Sequence, residues 1–321
     1  MSSKTIGDML AKGAFSGQHA ANTLGISRTA VFKHIQRLRA EGYNIEAGPR
    51  GYRLIPRFDG LLPLEIKSRL KTERFGREVL TIELTSSTQN AVRALAESGA
   101  DEGAVVVALE QGVGKGRMGR AWESPKGGLW FSILLRPTIA VTELHKLSLL
   151  FGVAVAESLG SMGLEARLKW PNDVLIGGKK VCGILLESSA ESDRVSHVIA
   201  GIGINANFPS GALSEPFASR STTLLSLLGR RVDRAGLLAD LLLSSERLYY
   251  GASRDGFGKV MDLWRSMSCT IGSEVTVSSF GRSISGLAIG LSEDGSLLVQ
   301  TSGGVERVFA GDVAIAPSKG R

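Results

Sequence analysis

Apolar residues recur along this chain in two rhythms, and the changes of rhythm divide it. After Ala20, Ala21, Leu24, Gly25 and Ile26, the residues Val31, Ile35 and Leu38 fall three or four positions apart, on one face of a helix. The pattern from Gly17 to Gln36 predicts helix, tight turn, helix. The alanines let two helices approach, Gly25 turns the chain, and Ser27 caps the second helix. Tyr43–Glu46 and Gly51–Leu54 flank Gly48-Pro49-Arg50-Gly51 and predict a hairpin wing. Beyond Pro56 and Pro63, a helical Leu64–Lys71 puts a domain boundary near 56–65. Strands are expected at Val79–Leu84, Val105–Leu109, Lys179–Glu187 and Val195–Ile204, with strand, turn, strand over Arg167–Ile176. Helices are expected at Ala91–Glu97, Leu237–Tyr250 and Phe257–Met267. Alternation with glycine-rich turns over Glu274–Ser278, Ile284–Leu291, Ser296–Thr301 and Val305–Phe309 predicts a small β-barrel.

Length and composition narrow the class. A chain of 321 residues, 43% hydrophobic, makes two or three domains with cores of their own. The longest apolar run, Leu147–Ala156, contains Ser148 and Gly152 and is too short for a bilayer span of roughly 20 residues. The first ten residues lack the apolar core of a secretory signal, so a cytoplasmic protein is expected. Cys182 and Cys269 with four histidines make no disulfide framework or structural zinc site. Of a net charge of +7, residues 1–60 supply five, through nine Lys/Arg against four Asp/Glu. That bias suits a polyanion, and the helical pattern gives it a shape. Opposite the apolar stripe stand Arg28, Thr29, Lys33 and Gln36, which together with Ser27 at the helix start could reach phosphates and base edges from a helix in a major groove. A purely structural helical hairpin is the competing reading.

The densest candidate chemistry follows Val105–Leu109, in Gln111-Gly112-Val113-Gly114-Lys115-Gly116-Arg117-Met118-Gly119-Arg120. It holds a literal GxGxxG, but Ala121–Gly128 cannot open the helix that a dinucleotide fold requires. Gly116 stands where a Walker loop has Ser or Thr. What remains is a pliant loop that offers backbone N–H groups beside Lys115, Arg117 and Arg120, suited to an anion. A mobile surface loop is the alternative. Trp122 could stack on a purine or fill the core. The polar run Thr85–Asn90 reads as a helix cap or a polar ligand site. Cys182 has no histidine close by in sequence and reads as a buried thiol.

GKGRMGRAW, KWPNDVLI, KKVCGILLE and GIGIN stand in the order and spacing of the biotin–protein ligases, and the whole chain resembles the bifunctional members that also repress biotin operons. The resemblance implies an α/β (α+β) architecture: a winged helix-turn-helix at 1–60, a class II synthetase-like ligase domain at 61–268 built as a mixed sheet with helices on one side, and an SH3-like barrel at 269–321. It implies a ligase that forms biotinyl-AMP from biotin and ATP with Mg²⁺, then passes biotin to a lysine of the biotin carboxyl carrier protein of acetyl-CoA carboxylase. Operator DNA is the second partner, with a homodimer when the adenylate is bound.

By the same resemblance Ser87, Thr88, Gln89 and Gln111 line the biotin site, Lys115, Gly116 and Arg117 cover it, and Lys180 lies against the biotin carboxyl. Gly114, Arg120, Trp122, Asn172, Asp173 and Asn205 lie on the nucleotide side, and no metal ligand set is assigned. Arg117 and Lys180 are the expected catalytic cations. Lys115 and Met118 stand where the family often has Arg, and Ser86-Ser87-Thr88-Gln89 departs from Asp-Ser-Thr-Asn. A ligand-sensing repressor without chemistry and a lipoate-type ligase remain alternatives.

Overall fold

The computed structural model describes residues 5–191, 194–279 and 281–316, so the ends of the first and third expected domains, 1–4 and 317–321, lie outside the described residues. The head comprises α1 (Ile6–Lys12), α2 (Gly17–Leu24), α3 (Arg28–Ala40), β1 (Ile45–Gly48) and β2 (Gly51–Leu54). Thr5 and Asp8 close a capping box on α1, and Gly25, at φ 67°, ends α2 in the left-handed region. Ser27 Oγ accepts the Ala30 N–H at 3.1 Å and starts α3. Ala20, Val31 and Ile35 are fully buried between the helices. β1 and β2 pair in register from Ile45–Leu54 to Gly48–Gly51. Two backbone bonds between Phe15 and Tyr52 tie the wing to the α1–α2 connection.

The expected Leu64 helix is the short α4 (Pro63–Lys67), and it serves two cores. Leu64 packs in the head's cluster and Ile66 in the central one. Two carboxylates fix the connection. Glu65, whose side chain is wholly buried, accepts from Arg57 Nε at 2.7 Å and from the N–H groups of Arg57 and Leu62. Asp59 accepts from Arg231 Nη2 at 2.7 Å, Asn207 Nδ2 at 3.0 Å and Arg234 Nε at 2.5 Å. Burial raises both pKa values, but the arginine hydrogen bonds outweigh it and hold both carboxyls below their ordinary range.

The central unit runs β3 (Val79–Thr85), α5 (Thr88–Glu97), β4 (Val105–Lys115), β5 (Ala121–Ser124), β6 (Leu129–Leu135), α6 (Lys146–Gly160), β7 (Arg167–Lys169), β8 (Asp173–Ile176), β9 (Lys179–Glu191), β10 (Arg194–Ile204), α7 (Phe217–Arg220), α8 (Leu224–Leu228), α9 (Arg234–Asp255) and α10 (Gly258–Met267). Its sheet has the order β3-β4-β6-β10-β9-β8-β7, with β5 also paired to β4. Among the described residues only the β3–β4 ladder, joined through α5, is parallel, so the sheet is mixed as expected. Val105, Val107, Ile133, Ala200, Ile202 and Ile204 face one way, against a layer of α6, α9 and α10. The expectation of helices on one side needs one correction. Val92 of α5 packs against Ala104, Val106, Leu134 and Ile199 on the opposite face. Those alternate residues would otherwise expose an apolar patch, so α5 covers part of that face and leaves the rest as the floor of a cavity.

The C-terminal unit comprises β11 (Glu274–Ser279), β12 (Arg282–Leu291), β13 (Leu297–Thr301), β14 (Gly304–Val308) and β15 (Asp312–Ile315). It is an antiparallel sheet of order β14-β13-β12-β11-β15, and among the described residues no ladder joins β14 to β15. Trp170 anchors it, with Nε1 donating to the Gly295 carbonyl at 3.1 Å and its N–H to Thr270 Oγ1 at 2.9 Å.

Candidate active site

The glycine-rich segment differs from the irregular loop that its composition suggests. β4 continues to Lys115, the chain turns through Arg117–Gly119, and β5 returns with Lys115 paired to Ala121 and Gly114 to Trp122. The Gly116 N–H donates to the Arg120 carbonyl at 2.7 Å and so is not free to bind an anion. The turn needs left-handed backbone, φ 55° at Met118 and 75° at Gly119. The segment is therefore a hairpin arm, and its cationic side chains meet the ligand space.

That space is a cavity of about 160 Å³ above the uncovered sheet face. Its floor comes from alternate residues of two neighbouring strands, Gly201 and Gly203 of β10 and Gly183 of β9, with Gly203 paired to Gly183. These glycines make room. A Cβ on Gly203 would lie 2.6 Å from Trp122 Nε1, one on Gly183 2.9 Å from the same ring, and one on Gly201 2.9 Å from Gln89 Cδ. The indole of Trp122 thus lies flat on glycine backbone, and its buried Nε1 has no hydrogen-bond partner among the described residues.

At one end, Ser87 caps α5 by accepting the Gln89 N–H at 3.3 Å. Gln111 Oε1 accepts the Thr88 N–H at 2.8 Å, Thr88 Oγ1 meets Ser132 Oγ at 2.7 Å, and Gln111 Nε2 donates to Ser124 Oγ at 2.8 Å. Buried Gln89 reaches across to the Leu185 carbonyl at 3.3 Å. This chain of neutral groups fixes a polar, uncharged subsite.

At the other end the groups are ionic. Lys180 Nζ lies 2.6 Å from Asp173 Oδ1 and 4.9 Å from the centre of the Trp122 ring. Asn172 donates to the Ile184 carbonyl at 2.7 Å and accepts from Arg117 Nη1 at 3.3 Å. Arg117 also donates to the Gly311 carbonyl at 3.1 Å, and Arg120 pairs with Asp312. Burial pulls the Arg117 pKa down, and the charges of Asp312 and Asp173 oppose that. Lys115, at the arm's edge, donates to Asn90 Oδ1 at 3.1 Å. The cavity is lined by four cations against two carboxylates, a surplus that favours an anionic ligand.

Two expected site residues lie elsewhere. Asn205 is buried behind the site, where Nδ2 donates to the Thr222 carbonyl at 3.1 Å and braces the strand that carries Lys180. Gly114 lies on the outer side of the arm, packed on the Trp122 carbonyl. Asp312, Gly311, Ser132, Phe217 and Ser221 join the site or its rim unannounced by any local motif. The floor glycines were visible as the alternation in Gly201-Ile202-Gly203, which leaves one strand face bare. Cys182 is fully buried and burial pushes its thiol pKa far up, in keeping with a structural role.

On the head, Arg28, Thr29, Lys33 and Gln36 are exposed and lie along α3, and none makes a side-chain hydrogen bond or ion pair among the described residues. Ser27 spends an acceptor on the cap and keeps its O–H proton.

Comparison with known proteins gives the family. Residues 81–205 match the Biotin/lipoate A/B protein ligase family, 4–53 an HTH domain, and 270–315 the Biotin protein ligase C terminal domain. The bifunctional ligase/repressor BirA of Bacillus spizizenii is 41% identical over 94% of this chain and 93% of its own length. That of Escherichia coli is 29% identical over 96% and 95%. Among solved structures, the biotin protein ligase of Aquifex aeolicus in complex with biotin and ATP covers 75% of this chain and 100% of its own, at 32% identity and a TM-score of 0.66.

Proposed function

The chain belongs to the family of bifunctional biotin ligase/repressors, and on that premise we propose how its residues divide the two tasks. It is an ATP-dependent biotin ligase joined to a DNA-binding head. The uncharged subsite of Ser87, Thr88, Gln89 and Gln111 takes the ring end of biotin. The ionic end, with Lys180, Arg117 and Lys115, takes the carboxylate and the α-phosphate. Trp122 and Arg120 face the nucleotide. The observation that carries this reading is the polarity of this cavity, neutral hydrogen-bonding groups at one end and cations at the other, under an indole seated on glycine.

The chemistry follows from charge. The biotin carboxylate oxygen attacks the α-phosphorus of ATP, an acyl–phosphate anhydride forms, and pyrophosphate leaves. Two anions must meet, and negative charge grows on the phosphoryl oxygens. Lys180 and Arg117 are placed to offset it. The carrier lysine's amine then attacks the acyl carbon and AMP leaves. Until then the arm shields the anhydride from water.

Mg²⁺ is implied by the family. Asp173 and Asp312 are the carboxylates at the cavity, and no group of three His, Cys, Asp or Glu forms a cation cage among the described residues. That donor set suits an ion held by one or two carboxylates plus substrate phosphates. Asp173 would hold it, and when bound it would neutralise phosphate charge.

For the finer partners, the carrier protein of acetyl-CoA carboxylase is the acceptor, operator DNA binds α3 and the wing, and two adenylate-bound copies pair on it. Residence in the cytoplasm goes with a DNA-reading head and two free thiols. The test is biotin-dependent pyrophosphate release across a panel of acids. Turnover with biotin and none with lipoate is expected, and turnover with lipoate alone, or with no acid, overturns the reading.

A further inference from the structure

Phe32 is the exception on α3. Val31 and Ile35 take the inward positions and are fully buried, whereas Phe32 keeps 49% of its surface exposed. Arg28, Phe32 and Gln36 stand one turn apart in a row, and Thr29 and Lys33 form the row beside it. An aromatic ring is thus held among polar and cationic side chains near the start of the helix, where such helices meet base edges. The head's excess of cations, with Arg28 and Lys33 on this face, favours a polyanion there. Within a major groove the one apolar feature on a base edge is the 5-methyl group of thymine.

We infer that Phe32 reads a thymine methyl in the major groove, so that sequence preference at one position of each half-site is set by an apolar contact between flanking polar ones. The inference rests on the repressor reading of the head. It explains an exposed phenyl ring on a surface that otherwise carries donors: the ring sheds its water only against DNA.

The test uses the full chain with biotin and ATP and a pool of duplexes with a randomised centre. Wild type is expected to select a motif with a fixed thymine in each half-site, and Phe32→Ala to lose that preference while keeping the flanking ones. Replacing that thymidine by deoxyuridine, which deletes only the methyl, should weaken wild-type binding about fourfold per half-site, the worth of one buried methyl group. The same replacement should leave Phe32→Ala binding unchanged. The deoxyuridine experiment on wild type needs no variant, so a misfolded Phe32→Ala head cannot obscure it. A motif without a fixed thymine, indifference of wild type to deoxyuridine, or an equal loss on every sequence with Phe32→Ala overturns the inference. The last result would mark Phe32 as a protein contact. If wild type selects no sequence at all, the repressor reading falls with it.

Discussion

The ammonium of Lys180 lies 2.6 Å from Asp173 Oδ1, held between that carboxylate and the face of Trp122. The two residues come from adjacent strands, β8 and β9. The carboxylate holds the cation at the junction of the neutral and ionic ends of the cavity. Replacing Lys180 by Met keeps the stem and removes the charge. Adenylation, read as pyrophosphate release, should slow by about 10²–10³-fold, the usual effect of deleting one charge-stabilising donor. Lys180→Arg should recover part of it, and a Lys180→Met enzyme with undiminished kcat would remove the residue from the chemistry.

Arg117 ties the arm to Asn172 and to the Gly311 carbonyl. Arg117→Gly deletes both contacts and, on the proposed reading, the charge over the adenylate. Loss of charged hydrogen bonds worth about 1.5–3 kcal/mol each implies release of biotinyl-AMP faster by at least tenfold. Free adenylate and biotin on bystander lysines should appear in blots. An adenylate half-life equal to wild type would refute the assignment.

Gly203 sets the height of the Trp122 ring. In Gly203→Ala the new methyl would lie 2.6 Å from Nε1, so the indole must tilt off the floor. The KM for ATP should rise about tenfold or more with a smaller change for biotin. Equal changes in both constants would show that the ring serves the whole cavity and not the nucleotide.

Asp59 bears on stability. Its pKa lies below the unfolded value, so its contribution is fully present above about pH 4 and fades as pH falls through the folded value. Asp59→Asn keeps a residue that tolerates φ 59° but strips the charge from buried Arg234. Urea unfolding at pH 7 should show a loss of about 3 kcal/mol. The variant's stability should also fall less steeply than wild type's below pH 4. Parallel acid limbs would mean that Asp59 is not the titrating group.

The legible parts were those that local rules decide. Ser27, Gly25 and the Val31–Ile35 stripe announce the head, because caps, turns and periodicity act within a few residues. The helix α6 escaped notice for the opposite reason. It is buried nearly all round between the sheet and α9 and α10, so no polar face marks its period. Within the site, Lys180, Arg117 and Gln111 lie in recognisable runs. Asp312 reaches Arg120 from β15, a separation that no motif spans. Asn205 sits in a run that resembles a ligand motif, yet its amide is used on the Thr222 carbonyl, a distinction made only by burial.

The shared helix α4 and the clamp on Asp59 have a further effect. Leu64 sits in one core and Ile66, two residues on, in the other, so the reader is bolted to the enzyme and does not swing on a tether. In the pair of copies proposed above, the surface that joins them then acts as a ruler. Inserting five base pairs, about half a helical turn, between the two halves of an operator would rotate the second half-site out of reach, and no slack in residues 55–62 could absorb the change.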